Sequence, residues 1–113
     1  MEEKIVKQSM EIILHAGDAR LACSQALKAL ETNDFVEAEK KMQEAKKLIT
    51  QAHKVQTDVI QKETQGEKIA YSLLFSHAQD TLMTIHSEIN IAKHLIKISK
   101  SIDERIATLE KRL

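Results

Sequence analysis

Apolar residues recur along this chain at alternating steps of four and three, the spacing of one face of an α-helix. From about residue 3 to 32 the row is Ile5, Ser9, Ile12, Ala16, Ala19, Cys23, Ala26 and Leu30. Thr32-Asn33-Asp34 then breaks it with residues that favour caps and turns. From about 34 to 64 the row is Ala38, Met42, Ala45, Ile49, Ala52, Gln56 and Val59, closed by Gly66 as a C-terminal glycine. The third helix is expected over about 68–100 and carries two rows. One holds Tyr71, Phe75, Ala78, Leu82, Ile85, Ile89, Ala92 and Ile96; the other holds Leu73, His77, Asp80, Thr84, Ile91 and Leu95.

These patterns predict an all-α chain, a single domain over 1–113, folded as an antiparallel up-down-up three-helix bundle. Two rows on the third helix imply one face turned into its own subunit and another turned to something else. The tail, SKSIDERIATLEKRL, keeps a heptad rhythm through Ile98, Ile102, Ile106, Leu109 and Leu113. Residues 101–113 are therefore expected to continue the third helix. The alternative is a separate short helix starting at the capping-box pattern of Ser101 and Glu104.

Composition sharpens this picture. Proline is absent, there are two glycines, and aromatics are 3%, so the core must be aliphatic and alanine-rich. A hairpin of three helices about 45 Å long with so few large side chains needs partners to bury enough surface, which predicts a homo-oligomer. Seventeen basic and 17 acidic residues cancel, which argues against a nucleic-acid partner. No apolar run reaches the ~20 residues of a membrane helix, and MEEKIVKQSM lacks a signal-peptide core. With one cysteine there is no internal disulfide, and a cytoplasmic location is expected.

The chain has five histidines, His15, His53, His77, His86 and His94, none paired at a zinc-motif spacing. Each reads first as a packing histidine. Cys23 reads as a small core residue, and EAEKKMQEAKK as a solvated face with local ion pairs. Asp80 is different, because a carboxylate buried without a partner costs several kcal/mol. Either it faces solvent, or copies of it meet on an oligomer axis and a metal ion neutralises them.

The octapeptide HAQDTLMT, residues 77–84, together with HAGDAR at 15–20, AHKVQT at 52–57 and the turn at Gly66-Glu67, resembles the lactose/cellobiose family of enzyme IIA components. These belong to the bacterial phosphoenolpyruvate-dependent sugar phosphotransferase system. The resemblance covers roughly residues 3–98. It implies a homotrimeric nine-helix bundle and a phosphocarrier. By position, His77 would accept phosphate from phospho-HPr and pass it to a cysteine of enzyme IIB. Asp80 would meet its symmetry mates on the threefold axis and bind one Mg2+ per trimer. Gln79 would lend a supporting hydrogen bond, as would Thr84. The family commonly has a second histidine where this chain has Thr81, which leaves open what that histidine contributes elsewhere. The sugar, of the cellobiose, chitobiose or lactose class, is not named by the motif. A histidine phosphotransfer domain of two-component signalling and a purely structural helical oligomer are the competing readings. An imidazole of ordinary pKa, ~6.5, is largely neutral near pH 7 and can attack phosphorus without a general base.

Overall fold

The computed structural model describes residues 2–68 and 71–113. Three helices account for nearly all of them: α1 Glu2–Leu30, α2 Phe35–Thr64 and α3 Leu73–Arg112. Their order is up, down, up, as expected. Cross-helix pairs fix the register. Arg20 of α1 meets Glu88 of α3, which runs parallel to it; His53 meets His86 and Gln56 meets Gln79 between antiparallel α2 and α3.

Both turns follow from their residues. Asn33 takes the left-handed conformation (φ 56°), while the N–H of Asn33 donates to Leu30 O and that of Asp34 to Ala29 O. Asp34 then opens α2, its carboxylate accepting from the Glu37 N–H at 3.1 Å. At the other end Gly66 (φ 91°) supports the paired bonds Gly66 N–H to Glu63 O and Glu67 N–H to Lys62 O, the glycine-terminated helix end the sequence indicated.

The third helix starts later than expected, at Leu73 rather than near 68. Ser72 is its N-cap, extended in backbone and accepting from the Phe75 N–H at 3.1 Å. Glu67 and Lys68 have no regular structure, and Ile69 and Ala70, also assigned to this helix from sequence, lie outside the described residues. Tyr71 consequently precedes the helix and stands 83% exposed instead of joining the buried row.

The inner rows are otherwise as expected. Ile12, Ala16, Ala19, Cys23 and Ala26 of α1, Ala38, Met42, Ala45, Ile49 and Ala52 of α2, and Ala78, Leu82, Ile85, Ile89, Ala92 and Ile96 of α3 form one cluster. Alanine is the commonest member, which brings the backbones close and leaves Ile12, Leu82 and Ile85 as the largest fully buried apolar side chains. Ser9 is fully buried but its hydroxyl donates to Ile5 O at 2.7 Å. Burial pushes the Cys23 thiol up, in keeping with a packing role.

The tail is a continuation of α3. At 40 residues α3 is about 60 Å long, against about 45 Å for α1 and α2, and the molecule measures 68 × 21 × 18 Å. The Lys100–Glu39 pair, close to the start of α2, marks where the bundle ends. Beyond it, every residue from 101 to 113 is exposed. No described helix is long and apolar enough to cross a membrane.

Candidate functional site

Helical geometry separates the two rows of α3 by roughly a third of a turn. The inner row is buried, and the second row faces outward from the bundle. Leu73 is 74% exposed and Ile91 59%, far more than isolated core residues would be. His77 and Asp80 lie on this outer row, three residues and about 4.5 Å of rise apart, both exposed. Thr81 follows His77 by one turn and is half-buried; Thr84 is exposed on the same line.

His77 is the fifth residue of α3. Helical side chains lean toward the N-terminus, so its ring stands over the first turn. There Ser72 takes the Phe75 N–H on its hydroxyl and the Ser76 N–H on its carbonyl oxygen. The amides of Leu73 and Leu74 head the helix one turn before His77, at the positive end of its dipole. This placement depends on Ser72, which sequence reading passed over. The available signal was a serine directly before the apolar run LLF.

Gln79 lies nearly opposite His77 around α3. Its Oε1 accepts from Gln56 Nε2 at 3.0 Å, joining the QT of AHKVQT to the HAQD segment. Two turns further along α3, His53 Nε2 and His86 Nδ1 are 3.4 Å apart with rings edge to face at 86°. One ring must donate and the other accept, so at least one stays neutral. These contacts hold α2 against α3 along the two to three turns that follow His77. Arg20, the last residue of HAGDAR, forms a two-pronged pair with Glu88 (2.9 and 3.0 Å) that sets α1 against α3; both are half-exposed, so its contribution is to register more than to stability. His15 is half-buried and His94 exposed.

Burial first, then the neighbouring His86, hold the His53 imidazole below its ordinary value. The unfolded chain therefore binds this proton more readily than the folded one. Stability is full above about pH 6.5 and declines as pH falls through that value toward the lower folded pKa. The melting temperature of wild type should drop more between about pH 7.5 and 5.5 than that of His53→Gln. Parallel curves would remove His53 as the cause.

Among the described residues of one chain, no three acidic, histidine or cysteine side chains converge as a metal site. Asp80 takes part in none of the ion pairs found there. It offers a free carboxylate, a hard oxygen donor suited to Mg2+, on the exposed row it shares with His77 and Thr84. One chain supplies one such group, so a site built on Asp80 needs further copies.

The chain matches the family described as "PTS system, Lactose/Cellobiose specific IIA subunit" over residues 7–100. The lactose-specific EIIA component of Staphylococcus epidermidis is 43% identical over 90 residues, 80% of this chain and 86% of that one. PtcA from S. mutans superposes with a TM-score of 0.87 at 33% identity, over 88% of this chain and 98% of the other. The IIA(Chitobiose)-HPr complex of the N,N′-diacetylchitobiose branch of the Escherichia coli phosphotransferase system matches at TM-score 0.73 and 29% identity, over 88% and 96% of the two chains. This chain belongs to the lactose/cellobiose-specific enzyme IIA family of the sugar phosphotransferase system. It is a phosphotransferase component, which sets aside the two-component and purely structural readings.

Proposed function

We propose that this chain is the phosphocarrier that takes phosphate from phospho-HPr on His77 and passes it to a cysteine of enzyme IIB, in the cytoplasm, during uptake of a cellobiose-, chitobiose- or lactose-class sugar. The observation that carries this reading is the placement of His77: an exposed imidazole near the N-terminal end of α3, with no hydrogen bond or ion pair to the other described residues of its chain. The HPr-bound chitobiose IIA supports the donor, since its fold is shared over most of this chain.

In the first transfer a nitrogen of His77 attacks phosphorus in line, the new N–P bond forming as the donor histidine's N–P bond breaks. In the second, the enzyme IIB thiolate attacks the same phosphorus and His77 leaves as neutral imidazole after taking up a proton. No nucleophile activation is needed beyond a neutral ring. The phosphoryl charge is held by the Leu73 and Leu74 amides and the helix dipole, and by donors the docked partner adds. Gln79, with its Oε1 committed to Gln56, keeps its Nε2 donors for a supporting bond across the subunit boundary.

Three copies assemble through the outer row of α3 and the exposed Val6, Met10, Leu14 and Leu21 of α1, giving a homotrimeric nine-helix bundle. Asp80 of each copy holds a shared Mg2+, which supplies the positive charge that lets three carboxylates approach. Chelating divalent cations should lower the melting temperature of wild type and leave Asp80→Asn unmoved at the same concentration. An equal response of the two proteins would dismiss the metal role.

The carrier function is tested by mixing the protein with phospho-HPr, separating it, and adding enzyme IIB. Acid-labile phosphate should appear on this chain and then move to enzyme IIB. Failure to take phosphate while a known IIA component labels alongside would overturn the proposal.

A further inference from the structure

The two rows of α3 part company at the end of the bundle. Past Ile96 the inner face becomes Ser99, Asp103, Ala107 and Glu110, with no large apolar side chain, and it is exposed from residue 101 on. The outer face stays apolar to the last residue: Ile91, Leu95, Ile98, Ile102, Ile106 and Leu109 are 41–59% exposed, and Leu113 follows. The spacing also differs from the heptad expected. Ile91, Ile102 and Leu113 are eleven apart, as are Leu95 and Ile106, and Ile98 and Leu109; Asp80 precedes Ile91 by the same step. An eleven-residue repeat averages about 3.67 residues per turn, so the row runs nearly straight along the helix instead of winding around it.

Charge on the flanks selects the occupant. Viewed down α3, Arg105 and Arg112 border the apolar row on one side, and Asp103 and Glu110 on the other, all exposed. In a parallel ring of identical helices each right flank meets its neighbour's left flank, so arginines face carboxylates at two successive levels. An antiparallel pairing would set like against like. The segment also lies beyond the family match, which ends at residue 100.

We propose that residues 101–113 pack against the same segment of other copies as a parallel, in-register stalk, extending past the bundle the face that carries Asp80. This rests on the homotrimer reading above, and its partner is the chain itself.

Cysteine cross-linking of the full-length protein tests it. Leu109→Cys lies on the row and should oxidise to a covalent dimer at least about tenfold faster than Lys111→Cys, which faces away. The native Cys23 is buried and serves as the unreactive background. Arg105→Glu with Arg112→Glu should raise the concentration at which the assembly half-dissociates by at least about tenfold, and adding Asp103→Arg and Glu110→Arg should restore it. Equal cross-linking at 109 and 111, or no response to the charge changes, overturns the stalk. Sedimentation separates the two ideas: a trimer that fails to cross-link at 109 rejects the stalk alone, and a monomer rejects both.

Discussion

His77→Ala will give a folded protein that accepts no phosphate above background from phospho-HPr and delivers none to enzyme IIB. The loss is complete because the side chain itself forms the covalent intermediate, so no slower version of the same route remains. The fold should not suffer. His77 is exposed, it has no hydrogen bond to the rest of its chain among those described, and alanine is the better helix former, so stability should shift by no more than about 0.5 kcal/mol. His53→Ala and His86→Ala make the contrast. They break the α2–α3 histidine pair and should cost some stability, yet both should still be phosphorylated. Intact mass spectrometry beside circular dichroism reads both effects. A His77→Ala protein that still gains phosphate would move the site elsewhere.

Leu82→Ala should be among the most damaging single truncations. Leu82 is fully buried on the inner row, in a core cluster whose commonest member is alanine. Small neighbours on closely spaced backbones cannot lean in to refill the space, so the upper part of the usual cost is not relieved: about 3 kcal/mol. For a chain of this size that is a fall in melting temperature of about 12 °C, measured at equal protein concentration because assembly adds to it. Leu95→Ala on the outer row removes the same atoms but should barely change an isolated chain, since Leu95 is already partly exposed there. A fall of only a few degrees for Leu82→Ala would mean that the bundle is looser than its burial suggests.

Much of this was legible in the residues. The three rows, the Thr32-Asn33-Asp34 turn and the Gly66 cap all express local rules, because a row at helical spacing and a left-handed residue are decided within a few positions. The same periodicity placed His77 and Asp80 off the core face before any coordinates. What stayed hidden was relative. A stripe tells which face is buried, not which residue of the next helix it meets, so Arg20–Glu88, His53–His86 and Gln56–Gln79 emerge only once the helices are side by side. The start of α3 was missed for a different reason. The apolar pattern runs back through Tyr71, and a single serine cap outweighs it locally. The outer row shows the converse: sequence marked it as a packing face, and one chain alone leaves it bare.

The most direct test of the account is to phosphorylate the wild-type protein with enzyme I, HPr and phosphoenolpyruvate, and to map the phosphate among His15, His53, His77, His86 and His94 by peptide mass spectrometry under alkaline conditions that preserve phosphohistidine. One phosphate per chain is expected, on the peptide containing His77 and on that ring alone. Phosphate on any other histidine, or none on a folded protein while a control carrier is labelled, would contradict it.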